Sequence, residues 1–176
     1  SKPGGVNYAS SGIGSTPHLA GELLNASARI DMVHVAYKSA APAVIDLIGG
    51  RVDVMVASLP TSLAQVKAQR LKAIAVASLK RSAALPEVPT ADEAGVPGYE
   101  VVTWWGLLAP AGVPGNLIAK INQIVVTSLK SPEMKASLAR DGAEAIGNSP
   151  AEFGAFIQKE SAKWHKVIKA SGVKIE

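Results

Sequence analysis

The residues best placed to do chemistry lie in one run, Tyr8-Ala9-Ser10-Ser11-Gly12-Ile13-Gly14-Ser15-Thr16-Pro17-His18. Small residues between a strand end and a helix start leave backbone N–H groups uncovered. The helix adds about half a positive charge at that end. Such a terminus holds an anion without a basic side chain. Ser10, Ser11, Ser15 and Thr16 supply hydroxyls, and Gly12 and Gly14 keep the turn small. The chemistry implied is a cradle for a carboxylate or phosphate. Two more strand ends offer similar groups: Ser39 opens Ser39-Ala40-Ala41-Pro42-Ala43, and Ser58 lies in Ala57-Ser58-Leu59-Pro60-Thr61. Three parallel strands ending this way would form one concave rim, which Trp104 and Trp105 could wall. On these residues alone, an ordinary capped strand-to-helix turn remains the competing description.

Other chemistries fit poorly. Gly12-Ile13-Gly14-Ser15-Thr16-Pro17 begins like a dinucleotide fingerprint, but Pro17 stands where the third Gly or Ala should allow close helix–strand packing. No G-x-S-x-G elbow occurs. The one S-x-x-K, Ser171 to Lys174, falls in the last six residues. His18 and Glu22 are one helical turn apart, too few for a zinc site, and no H-E-x-x-H is present. There is no cysteine, which removes disulfides, thiolate ligands and cysteine nucleophiles together. Neither a metal nor a cofactor is implied. The formal charge of +4 is spread thinly, with no run of five like charges, so no nucleic-acid partner is expected. Lys159, Lys163, Lys166 and Lys169 read as a solvated helix face.

The elements that must position these groups follow from hydrophobic period and turn chemistry. At 176 residues and 48% apolar, the chain can bury a core. No apolar run approaches the roughly 18 residues of a membrane span. Strands are predicted at 6–9, 33–37, 52–57 and 72–77, with helices at about 17–27, from Ser39 to Gly49, and 60–68. That alternation argues for an α/β fold with a parallel sheet. The segment 80–98 is rich in proline, with a short helix at Thr90-Ala91-Asp92-Glu93 opened by a capping box. A strand or two follows over 99–108. Helices are then predicted at 116–130, from Ser131 to about Gly142, and from a second capping box at Ser149-Pro150-Ala151-Glu152. Composition changes near residue 100.

Several segments together resemble the Bug family, the extracytoplasmic solute receptors of tripartite tricarboxylate transporters. They are Val6 to Glu22, Val33-His34-Val35-Ala36-Tyr37-Lys38, Asp46-Leu47-Ile48-Gly49-Gly50-Arg51-Val52-Asp53, Leu85-Pro86-Glu87-Val88-Pro89-Thr90, Glu93 to Tyr99, Trp105 to Gly112 and the helix from Phe153 to Trp164. The resemblance implies an α/β fold of the type II periplasmic-binding-protein class, a Venus flytrap. Residues 1–102 would form its second lobe, and 103–176 the mainly helical part that returns to the first lobe, whose N-terminal half is absent. It also implies a periplasmic protein without catalytic residues, a small di- or tricarboxylate-like ligand, and membrane transporter subunits as partners. Ligand contacts are expected from Ser10, Ser11, Gly12, Gly14, Ser15, Thr16, Ser39, Ser58 and Trp105. Many relatives carry Asp at the position of Ser58, so a plain carboxylate is expected in preference to an amino acid. The chain begins at Ser1 without Met, as a processed or truncated product would. Without the other half, Phe153, Phe156, Ile157 and Trp164 would be exposed, and self-association through the C-terminal part is an expectation. A small α/β enzyme acting on a carboxylate or phosphate ester is the alternative, and a purely structural module the third.

Overall fold

The computed structural model describes residues 4–173. Three parallel strands form the sheet: β1 (Asn7–Ser10), β2 (Val33–Ala36) and β3 (Val54–Met55), in the order β2-β1-β3. Helix α1 (Thr16–Ala28) connects β1 to β2, and α2 (Ala40–Ile48) leads on toward β3. Helix α3 (Leu59–Lys67) follows β3. Register runs Asn7 opposite Val33 to Ser10 opposite Ala36, and Ala9 opposite Met55. β1 is therefore central, and Tyr8, Ala9 and Ser10 are buried on it. The chain turns to one side of β1 for β2 and to the other for β3. Open α/β sheets bind ligands at such a reversal, outside the C-terminal ends of the strands.

The core is three small clusters. Ala9, Ala43 and Val52 seal the sheet against α2. Leu63, Val76, Leu85 and Val88 gather the proline-rich segment onto α3. Ala20, Ala91, Tyr99 and Val101 pack behind α1, with Trp164 set against them. Tyr99 donates its hydroxyl to the Ala20 carbonyl at 3.0 Å, so its buried oxygen is satisfied. The rest is helical: α4 (Gly115–Leu129), α5 (Pro132–Arg140) and α6 (Pro150–Ser171). α6 returns to lie on α1. Neither α4 nor α5 buries a residue.

Four expectations are corrected. The strand over 52–57 pairs only at Val54 and Met55. The strand over 72–77 shrinks to one bridge, Val76 to Thr90. Residues 102–109 run without regular structure or a backbone hydrogen bond among the described residues. A strand needs a neighbour to take its N–H and C=O groups; the first two segments meet one over only a residue or two, and 102–109 meets none among the described residues. At Thr90 both capping-box bonds form, Thr90 N–H to Glu93 Oε2 at 2.9 Å and Glu93 N–H to Thr90 Oγ1 at 3.1 Å, yet only a turn follows. Gly95 and Pro97 end it before a helix can propagate. Of the S-x-x-K pair, Lys174 lies outside the described residues.

The last helix is also better covered than expected. Trp104 sets its ring edge-on to Phe153 and Phe156 at 5.5 and 5.4 Å, and Phe153, Phe156, Ile157 and Trp164 are all half-buried. The apolar surface that stays open lies instead at Trp105, Leu107 and Leu108, each more than 70% exposed, and at Leu117 and Ile124 of α4.

Candidate ligand-binding site

The parallel strands carry the turn at 11–15, Ser39 and Ser58 to the same edge of the sheet, because each follows the C-terminal end of its strand. Each position is also a helix start. Ser15, Ser39 and Ser58 occupy the cap positions of α1, α2 and α3, and none of the three makes a side-chain cap bond. The first turns of these helices contain no acidic residue. Elsewhere the same residue type behaves otherwise. Ser131 and Ser149 cap α5 and α6 by accepting from Met134 N–H and Glu152 N–H, and Glu133 and Glu152 complement those helix dipoles. So at the rim the three positive helix ends stay uncompensated, as does that of α4 behind Pro114, while those of α5 and α6 are neutralised from within the chain.

The rim hydroxyls are engaged in different ways. Ser15 Oγ donates to the Gly12 carbonyl at 2.7 Å. Ser58 Oγ pairs with Thr61 Oγ1 at 2.8 Å. Ser39 is exposed, and its hydroxyl has no bond among the described residues. Ser10 is fully buried. Its oxygen accepts the Gly12 N–H at 3.1 Å and lies 2.6 Å from His34 Nε2, so it holds the turn from below and presents nothing to a ligand.

The turn itself is partly committed and partly free. Gly12 and Gly14 have φ of +131° and +76°, conformations that L side chains rarely adopt. The Gly12 N–H goes to Ser10, the Gly14 N–H to His18 Nδ1 at 3.0 Å, and the Ser15 N–H to the Gly12 carbonyl at 3.2 Å. The N–H groups of Ser11, Ile13, Thr16 and His18 have no partner among the described residues. Ile13 and Thr16 are exposed, and Ser11, Gly12, Gly14 and Ser15 half-buried, so the turn is open to solvent. A shallow groove lies beside it, lined by Thr16, Val102, Trp104, Glu160 and Trp164 among others. Trp104 stands in that groove. Trp105 does not line it and projects from the unpaired stretch.

Beneath the turn lies a polar network of which only Ser10 was expected from the sequence to contact a ligand. The His18 and His34 rings stack at 3.8 Å between centroids, inclined by 11°. Tyr8 stacks on His34 at 4.9 Å and donates its hydroxyl to Glu22 Oε1 at 2.5 Å. Burial holds both imidazoles below the ordinary histidine pKa; for His34 the neighbouring His18 lowers it further, and Glu22 opposes the shift in each. Burial and the Glu22 carboxylate push the Tyr8 phenol up. The signal in sequence was the pairing of His18 with Glu22 four residues on, but only the fold adds His34. Among the described residues no group of three or more His, Cys, Asp or Glu is arranged to hold a metal.

Comparison with known proteins bears on the family and the fold. A family model described as the tripartite tricarboxylate transporter family receptor matches residues 1–173. Protein BugT of Bordetella pertussis is 33% identical over 99% of this chain and 54% of its own. The structure of R. palustris Rpa4515 with adipate superimposes with a TM-score of 0.87 at 36% identity, over 98% of this chain and 57% of that one. MatC (Rpa3494) from Rhodopseudomonas palustris, with bound malate, gives 0.80 at 31% identity, over 93% and 56%. The chain thus spans little more than half the length of these proteins.

Proposed function

We propose that this chain, which belongs to the tripartite tricarboxylate transporter receptor family, holds a small dicarboxylate at the rim formed by α1, α2 and α3 and serves a membrane transporter from the periplasm. Its α/β fold is that of the family's Venus-flytrap binding proteins, of which it spans about half. The family is one of receptors, which sets aside the small α/β enzyme. Residues 1–102 would be the ligand-binding lobe and 103–176 the part that returns to the other lobe. In favour of that division, the buried residues among those described lie at or before Val101, with Glu160 the exception.

One observation carries the proposal. Three helices point uncapped, acid-free N-termini at one sheet edge, while α5 and α6 cap and neutralise theirs. A dicarboxylate would satisfy the N–H groups of Ser11, Ile13 and Thr16, with Ser39 and Ser58 nearby at the neighbouring strand ends. Gly12, Gly14 and Ser15 shape the turn, and Ser10 supports it. Two solved relatives carry adipate and malate, which are ligands of this chemistry. With Ser in place of an acid at position 58, no group at that helix start is suited to an ammonium.

Titration calorimetry with adipate, malate and glutamate tests this. The dicarboxylates are expected to bind and glutamate to bind more weakly than its deaminated analogue. Preference for glutamate would remove the role given to Ser58, and no heat with any carboxylate would remove the rim as a site in this chain.

A further inference from the structure

We propose that His18 is the positioning residue of the anion turn: its neutral imidazole, stacked on His34, holds the Gly14 amide through Nδ1, so the turn keeps its shape only while His18 is unprotonated. The ligand-binding consequence rests on the receptor function proposed above, but the clamp does not.

His18 is buried, 5% exposed, in the first turn of α1. Its Nδ1 is the sole acceptor of the Gly14 N–H among the described residues. An imidazole that accepts at Nδ1 carries its proton on Nε2. Adding a second proton would place one N–H donor against another. The bond would be lost at a glycine, whose φ of +76° is then free to change. The Gly12 amide rests on the same assembly, through Ser10 Oγ and His34 Nε2. Two of the turn's inward amides therefore end on one pair of stacked rings, which leaves those of Ser11, Ile13 and Thr16 for a ligand.

The surroundings favour the neutral pair. Two imidazoles 3.8 Å apart resist becoming charged together. From β1, Tyr8 faces them with a phenol that stays protonated; from β2 comes His34. On α1 itself, Glu22 Oε1 lies 4.0 Å from His18 Nε2 and opposes the others, but it also accepts from Tyr8. Helix α6, packed on α1, brings Glu160, which is bonded to Trp164 and paired with Lys163. Burial outweighs Glu22 at both histidines. The sign follows. A histidine held below its ordinary pKa contributes fully above about pH 6.5, and the contribution is lost as pH falls below that value.

Nuclear magnetic resonance titration of the whole chain tests the clamp without any ligand. The Gly14 amide resonance is expected to follow the His18 ring proton, with a midpoint below about 6.5. His18→Asn supplies an oxygen where Nδ1 stood and does not titrate, so in that variant the Gly14 resonance should be flat over the same range. A Gly14 amide indifferent to pH while His18 titrates would overturn the proposal, as would an ordinary midpoint for His18. These readings on the unsubstituted chain decide the matter even if His18→Asn fails to fold. Calorimetry with adipate supplies the second arm. Below the midpoint read from the Gly14 and His18 resonances, the unsubstituted chain should lose up to about tenfold in affinity per pH unit beyond the loss seen in His18→Asn. Equal losses in the two proteins would refute the coupling of clamp to ligand. Adipate bound at no pH would count against the receptor function, while the Gly14 titration still decides the clamp.

Discussion

At the residue scale, the rim depends on small side chains in tight places. Gly21 faces the Tyr8 ring so closely that a Cβ there would stand 2.2 Å from Tyr8 Cε2. Tyr8 in turn holds Glu22 and stacks on His34. Gly21→Ala must therefore move a buried aromatic in the central strand, and chemical denaturation should show a loss of about 1–3 kcal/mol. An unchanged midpoint would mean that α1 shifts freely on the sheet. Gly21 was legible as part of a family segment, but its reason was not. Nothing in the chain order announces that the ring at position 8 fills the space above it. The same holds for Ser10. Its type suggested a ligand hydroxyl, and full burial turned it into a support, because β1 is the central strand.

At the element scale, helix starts carry both stability and function, and the two pull apart. An acid introduced in the first turn of α2, as in Ala41→Asp, should strengthen the helix by about 0.3–1 kcal/mol through the dipole. It should also weaken dicarboxylate binding by roughly threefold to thirtyfold, since the rim would then carry its own anion. A melting temperature that rises while affinity falls is the expected pair; affinity that holds would show that α2 is no part of the site. The capping boxes make a separate prediction. Backbone N–H donation holds the Glu93 and Glu152 carboxyls below the usual range, from Thr90 and Ser149 respectively, with Arg81 helping at Glu93. Their contribution is full above about pH 4.5 and is lost as pH falls below it. Ser149→Ala should cost about 1 kcal/mol at neutral pH by thermal melting, and less in acid. Both boxes were visible in sequence as S/T-x-x-E. What sequence could not supply was the contrast with Ser15, Ser39 and Ser58, which have the same residue type and leave their helices uncapped.

At the scale of the whole molecule, the sheet ends where its neighbours would begin. Residues 102–109 carry unpaired backbone and large apolar side chains, with Trp105 72%, Leu107 71% and Leu108 74% exposed. Extended, unpaired and apolar backbone seeks a partner strand. The chain taken alone is expected to self-associate with rising concentration in light scattering. Replacing Leu107 and Leu108 by Ser should return it toward monomer without altering its helical circular dichroism; a chain monomeric throughout would contradict this. By itself the sequence determined the α/β alternation, the parallel character of the first strands, the boundaries to within a residue or two of the helices that form, and the place of the small-residue turn between β1 and α1. Those depend on periodicity, capping residues and small-residue runs, which act over a few positions along the chain. Only the tertiary structure decided which strand was central, that the predicted strand over 72–77 keeps a single bridge and that 102–109 lacks a partner among the described residues, that Trp104 rather than Trp105 stands beside Thr16, and that His18 and His34 meet beneath the turn. Pairing and stacking join residues far apart in the chain, and their cost or gain depends on burial that no local pattern encodes.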